Sequence, residues 1–108
     1  MPKRVPIDPE QHKKLVAIKG DYTININTLI YGALQFALPK AEHAIHDLPI
    51  VPRQDDTWSR WPIDDDQHES IVKLQSTVFR IDRYMWVYVL LAYALSRRQQ
   101  WIVAVPSS

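Results

Sequence analysis

The 108-residue sequence has no cysteine, only two glycines and almost no net charge. Without cysteine, disulfides, thiolate metal sites and cysteine nucleophiles are excluded. The two glycines, Gly20 and Gly32, are too isolated to form a glycine-rich loop that holds phosphate groups. Thirteen basic and twelve acidic residues leave a net charge of +1, whereas nucleic-acid-binding proteins more often have a clear basic excess.

Catalytic and metal-binding side chains are also scarce. No nucleophile, base and acid stand in a recognisable arrangement. His43 and His46 have a spacing that two metal ligands use, but neither a cysteine nor a third histidine is near them, which favours a solvated pair. The acidic run at residues 64–66 is interpreted as the start of a helix. We therefore expect no enzymatic activity, no cofactor and no bound metal.

No long hydrophobic segment is present. The longest apolar run, residues 84–95, has twelve residues, against the roughly 20 that a membrane-spanning helix needs. The first residues are followed by acidic and polar ones rather than by the apolar core of a signal peptide. We therefore expect a cytoplasmic protein that does not bind a membrane.

The sequence contains an internal repeat. The segment RVPIDPEQH, residues 4–12, matches RWPIDDDQH, residues 60–68. The similarity continues, with a one-residue insertion, and preserves the order and spacing of the apolar positions. Such a match indicates duplication. We expect a single domain, 1–108, made of repeat one (3–40), a linker (41–58), repeat two (59–97) and a C-terminal tail (98–108).

Each repeat begins with the pattern of a short strand. Val5 and Ile7 alternate with polar or proline positions, and the equivalent residues of repeat two follow the same alternation. The pattern predicts strands over residues 3–8 and 59–64. Because proline has no N–H group, Pro6 and its equivalent cannot donate a hydrogen bond to a neighbouring strand.

Two helices follow the strand in each repeat. Asp8 and Asp64 are good N-terminal caps for the first helix. The second helix begins after Asn25 or Asn27 in repeat one and after Asp82 in repeat two. Its apolar residues occupy most faces, which predicts burial at the centre of the fold. They are Ile26, Leu29, Ile30, Ala33, Leu34, Ala37 and Leu38, and Trp86, Val87, Leu90, Leu91, Ala94 and Leu95.

The linker and the tail have less regular patterns. Residues 41–46 are expected to prolong the helix that precedes them, and the rest of the linker is acidic and contains prolines. Residues 101–105 of the tail are apolar and predict either a short strand or a packed coil.

A strand and two helices cannot bury their own apolar face, but two such units side by side can. The sequence therefore predicts a mainly α-helical fold with a short two-stranded antiparallel ribbon, in which the repeats form one pseudo-twofold domain. This arrangement resembles the ribbon-helix-helix family, which includes Arc-like, MetJ-like and CopG-like DNA-binding proteins. The run VPIDPE at residues 5–10 is similar to that family's strand-to-helix junction, and NINT at residues 25–28 to its entry into the second helix. TraY-like conjugation accessory proteins and some T-DNA transfer proteins are similar in carrying two units in one chain.

The resemblance implies that outward side chains of the ribbon enter the major groove of DNA. The outward positions are then Arg4, Pro6 and Asp8 in repeat one, with Arg60, Pro62 and Asp64 in repeat two. Arginine suits paired hydrogen bonds to guanine, whereas proline reads no base edge by hydrogen bonding and aspartate is repelled by phosphate. The family also holds phosphates at the start of the second helix. The implied DNA-binding residues are Lys3, Arg4, Arg60, Asn25, Ile26, Asn27, Thr28, Arg80 and Arg83.

Three hypotheses about function follow from the resemblance. The first is a DNA-binding protein, either a transcriptional repressor or an accessory of plasmid or T-DNA transfer, with double-stranded DNA and a relaxosome, secretion or other protein as partners. The second is a protein-interaction module of the same fold that has lost DNA binding, which the near-neutral charge favours. The third is an antitoxin. Family antitoxins usually add a disordered tail that wraps the toxin, whereas here repeat two almost reaches the last residue, so this hypothesis is the weakest of the three.

Overall fold

The computed structural model describes residues 3–47 and 50–102. Each repeat contains a strand followed by two helices, in the order that the sequence predicts. Repeat one contains β1 (Lys3–Ile7), α1 (Pro9–Tyr22) and α2 (Ile26–Ala37), and it is followed by a 3-10 turn (Leu38–Lys40) and by α3 (Ala41–His46). Repeat two contains β2 (Ser59–Ile63), α4 (Asp65–Thr77) and α5 (Arg83–Leu95), and it is followed by a 3-10 turn (Arg98–Gln100).

The two strands pair as an antiparallel ribbon, which confirms the predicted fold class. Val5 lies opposite Trp61, its equivalent in the other repeat, so the pseudo-twofold axis passes through this pair. Arg4 lies opposite Pro62, and Pro6 opposite Arg60. Among the described residues, each strand therefore pairs only with the strand of the other repeat.

Local side-chain hydrogen bonds explain where the helices begin. The Asp8 carboxylate accepts hydrogen bonds from the backbone N–H groups of Glu10 at 3.0 Å and Gln11 at 3.2 Å. Asp64 caps α4 in the same way, at 3.0 and 3.2 Å from its two donors. Both predicted caps are confirmed. Helix α1 ends at Thr23, whose left-handed backbone, with φ of 55°, is rare for a residue other than glycine.

The core lies between the ribbon and the four helices of the repeats. Helix α2 packs along α5, and both carry fully buried leucines, among them Leu34 and Leu91. The predicted apolar positions of the two helices are buried, except that Leu38 and Leu95 at their ends are half-buried. Val5 and Ile7 close this core from the ribbon side.

The linker and the tail add aromatic side chains to repeat two. Trp58 is buried, with its ring edge-on to Tyr84 at 5.6 Å and stacked on Tyr88 at 6.3 Å. Trp101 is also buried, and its indole N–H donates to the backbone oxygen of Ala94 at 2.7 Å. Residue 101 lies in a turn and residue 102 is in 3-10 helical conformation, so these two buried residues form neither a strand nor a coil. The rest of the predicted tail segment, residues 103–105, lies outside the described residues.

Residues 41–46 are helical, as predicted, but they form the separate helix α3 after the 3-10 turn and do not prolong α2. A search of the described residues for a helix long and apolar enough to span a membrane finds none.

Candidate nucleic-acid interface

The outward face of the ribbon carries two arginines. Arg4 and Arg60 are exposed, and Pro6 and Pro62 beside them are half-buried. The inward face carries Val5, which is 3% exposed, together with the fully buried Ile7. The alternation predicted from the sequence is therefore correct, and both arginines point away from the core.

The expectation that Asp8 belongs to the outward face is wrong. Its side chain is only 6% exposed, because the carboxylate turns back to the start of α1 and accepts two backbone hydrogen bonds there. The equivalent Asp64 caps α4 but remains exposed. The ribbon face is therefore less acidic on the side of repeat one than the sequence suggests.

The start of α2 is the first place where the resemblance implies a phosphate contact. Asn25 is the N-cap, and its side-chain oxygen accepts the backbone N–H of Asn27 at 2.8 Å. The Ile26 side chain is buried in the core at 8% exposure, while Asn27 is exposed and Thr28 half-buried. A phosphate at this helix start would therefore compete with Asn25 for the Asn27 N–H group.

The start of α5 differs from that of α2. The N-cap Asp82 makes no side-chain capping hydrogen bond, and its backbone oxygen accepts from Met85 and Trp86. Arg80 and Arg83 are both exposed here, one before the helix and one as its first residue. This helix start is therefore rich in cationic side chains, whereas the first turn of α2, with the sequence INTL, has none.

Arg83 reaches from α5 to a histidine of α4. Its guanidinium nitrogen lies 2.9 Å from Nε2 of His68. The pKa of His68 is lowered, chiefly because the ring is partly buried and then because the charges of Arg83 and Lys3 oppose its protonation. Asp65 acts in the opposite direction. The lowered pKa favours the neutral form of His68, in which Nε2 accepts the hydrogen bond from Arg83.

His12, the equivalent histidine of repeat one, has different surroundings. Its ring stacks on Trp61 at 5.4 Å between centroids. Its Nε2 atom is buried and has no hydrogen-bond partner within residues 3–47 and 50–102. The two identical histidines of the repeat thus have different neighbours, which the alignment of the repeats does not reveal.

The predicted site residues therefore fall into separate groups. Arg4 and Arg60 share the ribbon face, Arg83 contacts His68 while the charge of Lys3 acts on that ring, and residues 25–28 lie at the start of α2. His68 is not among the site residues that the resemblance implies. Its presence at the same place in both repeats was the available signal, but its pairing with Arg83 depends on how α4 and α5 pack.

His43 and His46 are exposed on α3, and the described part of the chain contains no group of three residues placed to hold a metal ion.

Comparison of the chain with protein-family models, with curated proteins and with solved structures finds no match.

Proposed function

We propose that the protein binds duplex DNA as a tandem ribbon-helix-helix protein, with the β1–β2 ribbon in the major groove. The observation that carries the proposal is the placement of Arg4 and Arg60. They are exposed, occupy equivalent positions in the repeats and flank the Val5–Trp61 pair on the outward face. The major groove admits a two-stranded ribbon, and arginine forms paired hydrogen bonds with guanine.

Contacts to the DNA backbone are expected to supply most of the affinity. The two prolines of the outward face offer no hydrogen bond to a base edge, so Arg4 and Arg60 are the main base-reading groups of the ribbon. Positive charge for phosphates comes from Lys3, the first residue of β1, and from Arg80 and Arg83 near the start of α5. This composition favours modest affinity and low sequence specificity.

The biological role that fits this proposal is that of a transcriptional repressor or of an accessory in plasmid or T-DNA transfer. In the second case a relaxosome or secretion protein would be a further partner. Both roles need only that the chain occupies duplex DNA, and the pseudo-twofold ribbon supports both equally.

A second candidate function is that of a protein-interaction module without DNA binding. Two observations favour it: the prolines Pro6 and Pro62 on the outward face, and the net charge of only +1. In this case the exposed ribbon would contact a protein, and its arginines would meet acidic side chains.

Fluorescence anisotropy with a labelled random-sequence duplex tests the proposal. We expect binding in low salt that weakens steeply as salt is added, because each phosphate contact releases a counterion. Arg4→Ala with Arg60→Ala should weaken binding by about 1–3 kcal/mol for each arginine that no longer reaches a base. Lys19→Ala with Arg53→Ala is the matched control, since it removes two exposed cations outside the ribbon.

Two results would contradict the proposal. One is the absence of binding to any duplex even in low salt, which would favour the interaction module. The other is an equal loss of affinity in the two double variants, which would show that only net charge matters and that the ribbon is not the contact surface.

A further inference from the structure

His68 and Arg83, from two different helices, are in contact near one end of the ribbon, and the charge of Lys3 in β1 acts on the same histidine. His68 lies in the first turn of α4, Arg83 begins α5, and Lys3 begins β1. Arg83 contacts the His68 ring at 2.9 Å, and Lys3 is close enough to act on the His68 charge. All three belong to surface that is exposed or only half-buried. The cluster is therefore accessible to a ligand.

The contact between His68 and Arg83 suits a neutral imidazole. Arginine is always protonated and only donates, so Nε2 of His68 must accept. A second proton on the ring would place two cations in contact. A nearby negative charge makes that state more favourable, and Asp65 acts on the ring in this way from its own helix. An anion bound to Arg83 and Lys3 would add a stronger opposite charge.

Among the residues that the structure describes, the equivalent end of repeat one has no such cluster. Ile26, which is buried, stands where repeat two has Arg83, and Ser59 stands where repeat one supplies Lys3. His12 packs against Trp61 instead of facing a guanidinium group. The cationic cluster is therefore confined to one side of the pseudo-twofold axis.

We infer that Lys3, His68 and Arg83 form a phosphate-binding site, and that a phosphate group bound there draws a proton onto His68. The inference rests on the proposed function in identifying the ligand as a backbone phosphate of duplex DNA. Two consequences follow. Binding tightens as the pH falls through the titration range of His68. Because only one end of the ribbon has the site, the chain makes unequal contacts with the two sides of its DNA site.

Titration of the histidine ring signals by NMR tests the inference directly. The pKa of His68 is measured under three conditions: in the protein without added anion, with inorganic sulfate at constant ionic strength, and with a short random-sequence duplex. Sulfate models the phosphate group and does not itself titrate between about pH 5.5 and pH 8. We expect the pKa of His68 to rise with either anion. The ring resonances of His12, which stacks on Trp61 instead of facing a guanidinium group, serve as the internal control, and neither anion should perturb them.

A second measurement follows duplex affinity with pH. The wild type should bind several-fold more tightly near pH 6 than near pH 8, with a ceiling of about tenfold for each unit by which the pKa rises. His68→Gln, which keeps a hydrogen-bonding side chain, should lose this pH dependence. Arg83→Gln should reduce the effect of sulfate on His68, and Arg53→Gln, which removes an exposed arginine of the linker, is its matched control.

The possible outcomes separate the site from the function. A rise in the pKa of His68 with sulfate but no duplex binding would support the anion site and contradict the DNA proposal. Duplex binding without any change in the pKa of His68 would overturn the inference and leave the DNA proposal standing. No response of His68 to either anion would also overturn the inference.

Discussion

The side-chain amide of Gln11 in α1 donates a hydrogen bond to the backbone oxygen of Tyr88 in α5, across the two repeats, at 2.9 Å. The equivalent residues of the other repeat make the same contact: the side-chain amide of Gln67 donates to the backbone oxygen of Tyr31 at 2.9 Å. Both glutamines are buried. A buried amide N–H without an acceptor is costly, so these bonds favour the joined arrangement of the repeats, while the Oε1 atoms of both glutamines have no partner among the described residues.

Removing either glutamine should therefore destabilise the whole domain. Gln11→Ala and Gln67→Ala should each lower the free energy of unfolding by about 1–3 kcal/mol, because a buried hydrogen bond and the packing of the side chain are removed. Lys14→Ala, an exposed position on the same helix as Gln11, should change it by less than about 0.5 kcal/mol. Urea unfolding followed by circular dichroism measures these differences. Decreases in the glutamine variants no larger than in Lys14→Ala would contradict the role assigned to the cross-repeat bonds.

The central helices should respond even more strongly to truncation. Leu34 and Leu91 are equivalent, fully buried residues of α2 and α5, and replacing either by Ala should cost about 2–5 kcal/mol. Val16 and Val72, equivalent residues of α1 and α4 that are 44% and 42% exposed, are the matched controls. The same unfolding experiment applies. A decrease below about 0.5 kcal/mol for either leucine is typical of a surface position and would contradict the packing of α2 against α5.

The shared core also predicts the behaviour of a divided chain. A break between Asp55 and Asp56, both exposed in the linker, would separate β1 from β2 and α2 from α5. Each half would then expose an apolar face that only the other half covers. The two halves should fold together when mixed and remain largely unfolded apart, as measured by circular dichroism and size-exclusion chromatography. A folded, monomeric fragment 1–54 would contradict this expectation.

The repeat made much of the fold predictable. Once Val5 and Trp61 are recognised as equivalent, a twofold arrangement leaves them opposite each other in an antiparallel ribbon, as observed. The helix starts at Asp8 and Asp64 were predictable because capping is a local interaction with the next three residues.

The contacts that the sequence did not predict join residues from separate elements. The bond from Gln11 to Tyr88 and the contact of His68 with Arg83 depend on how helices cross, which no short pattern encodes. The burial of Asp8 was missed for a related reason. The alternation of the strand predicts an outward side chain for Asp8. The chain turns into α1 at this residue, however, and the carboxylate bonds to the backbone N–H groups at the start of that helix.

The stability of the domain should depend on pH through His68. Its pKa in the folded state is lowered, first by partial burial and then by Arg83 and Lys3. The unfolded chain therefore binds this proton at a higher pH than the folded one. The contribution of His68 is favourable above the ordinary histidine pKa of about 6.5 and disappears as the pH falls through the folded-state pKa. Stability should decrease between about pH 7.5 and pH 5.5.

Unfolding free energies at several pH values check this prediction. His68→Gln removes the titrating group and should flatten the pH dependence over that window. Arg83→Gln should flatten it in part, because one of the charges that oppose protonation is gone, whereas Arg53→Gln, which removes an exposed arginine of the linker, should leave it unchanged. An unchanged slope in His68→Gln would show that other groups account for the pH dependence.

Asp82 offers a test in which stability and DNA affinity change in opposite directions. Its carboxylate lies at the start of α5 beside Arg83, yet it makes no side-chain capping bond there. Asp82→Asn removes a negative charge from the proposed phosphate contact, so duplex affinity should rise by about two- to fivefold, or ~0.3–1 kcal/mol. Stability should fall slightly or stay constant, since the charge favours the helix start only through the helix dipole. Asp56→Asn makes the same charge change in the exposed linker and should leave affinity nearly unchanged. Equal increases in the two variants would assign the effect to net charge and contradict a phosphate contact at α5.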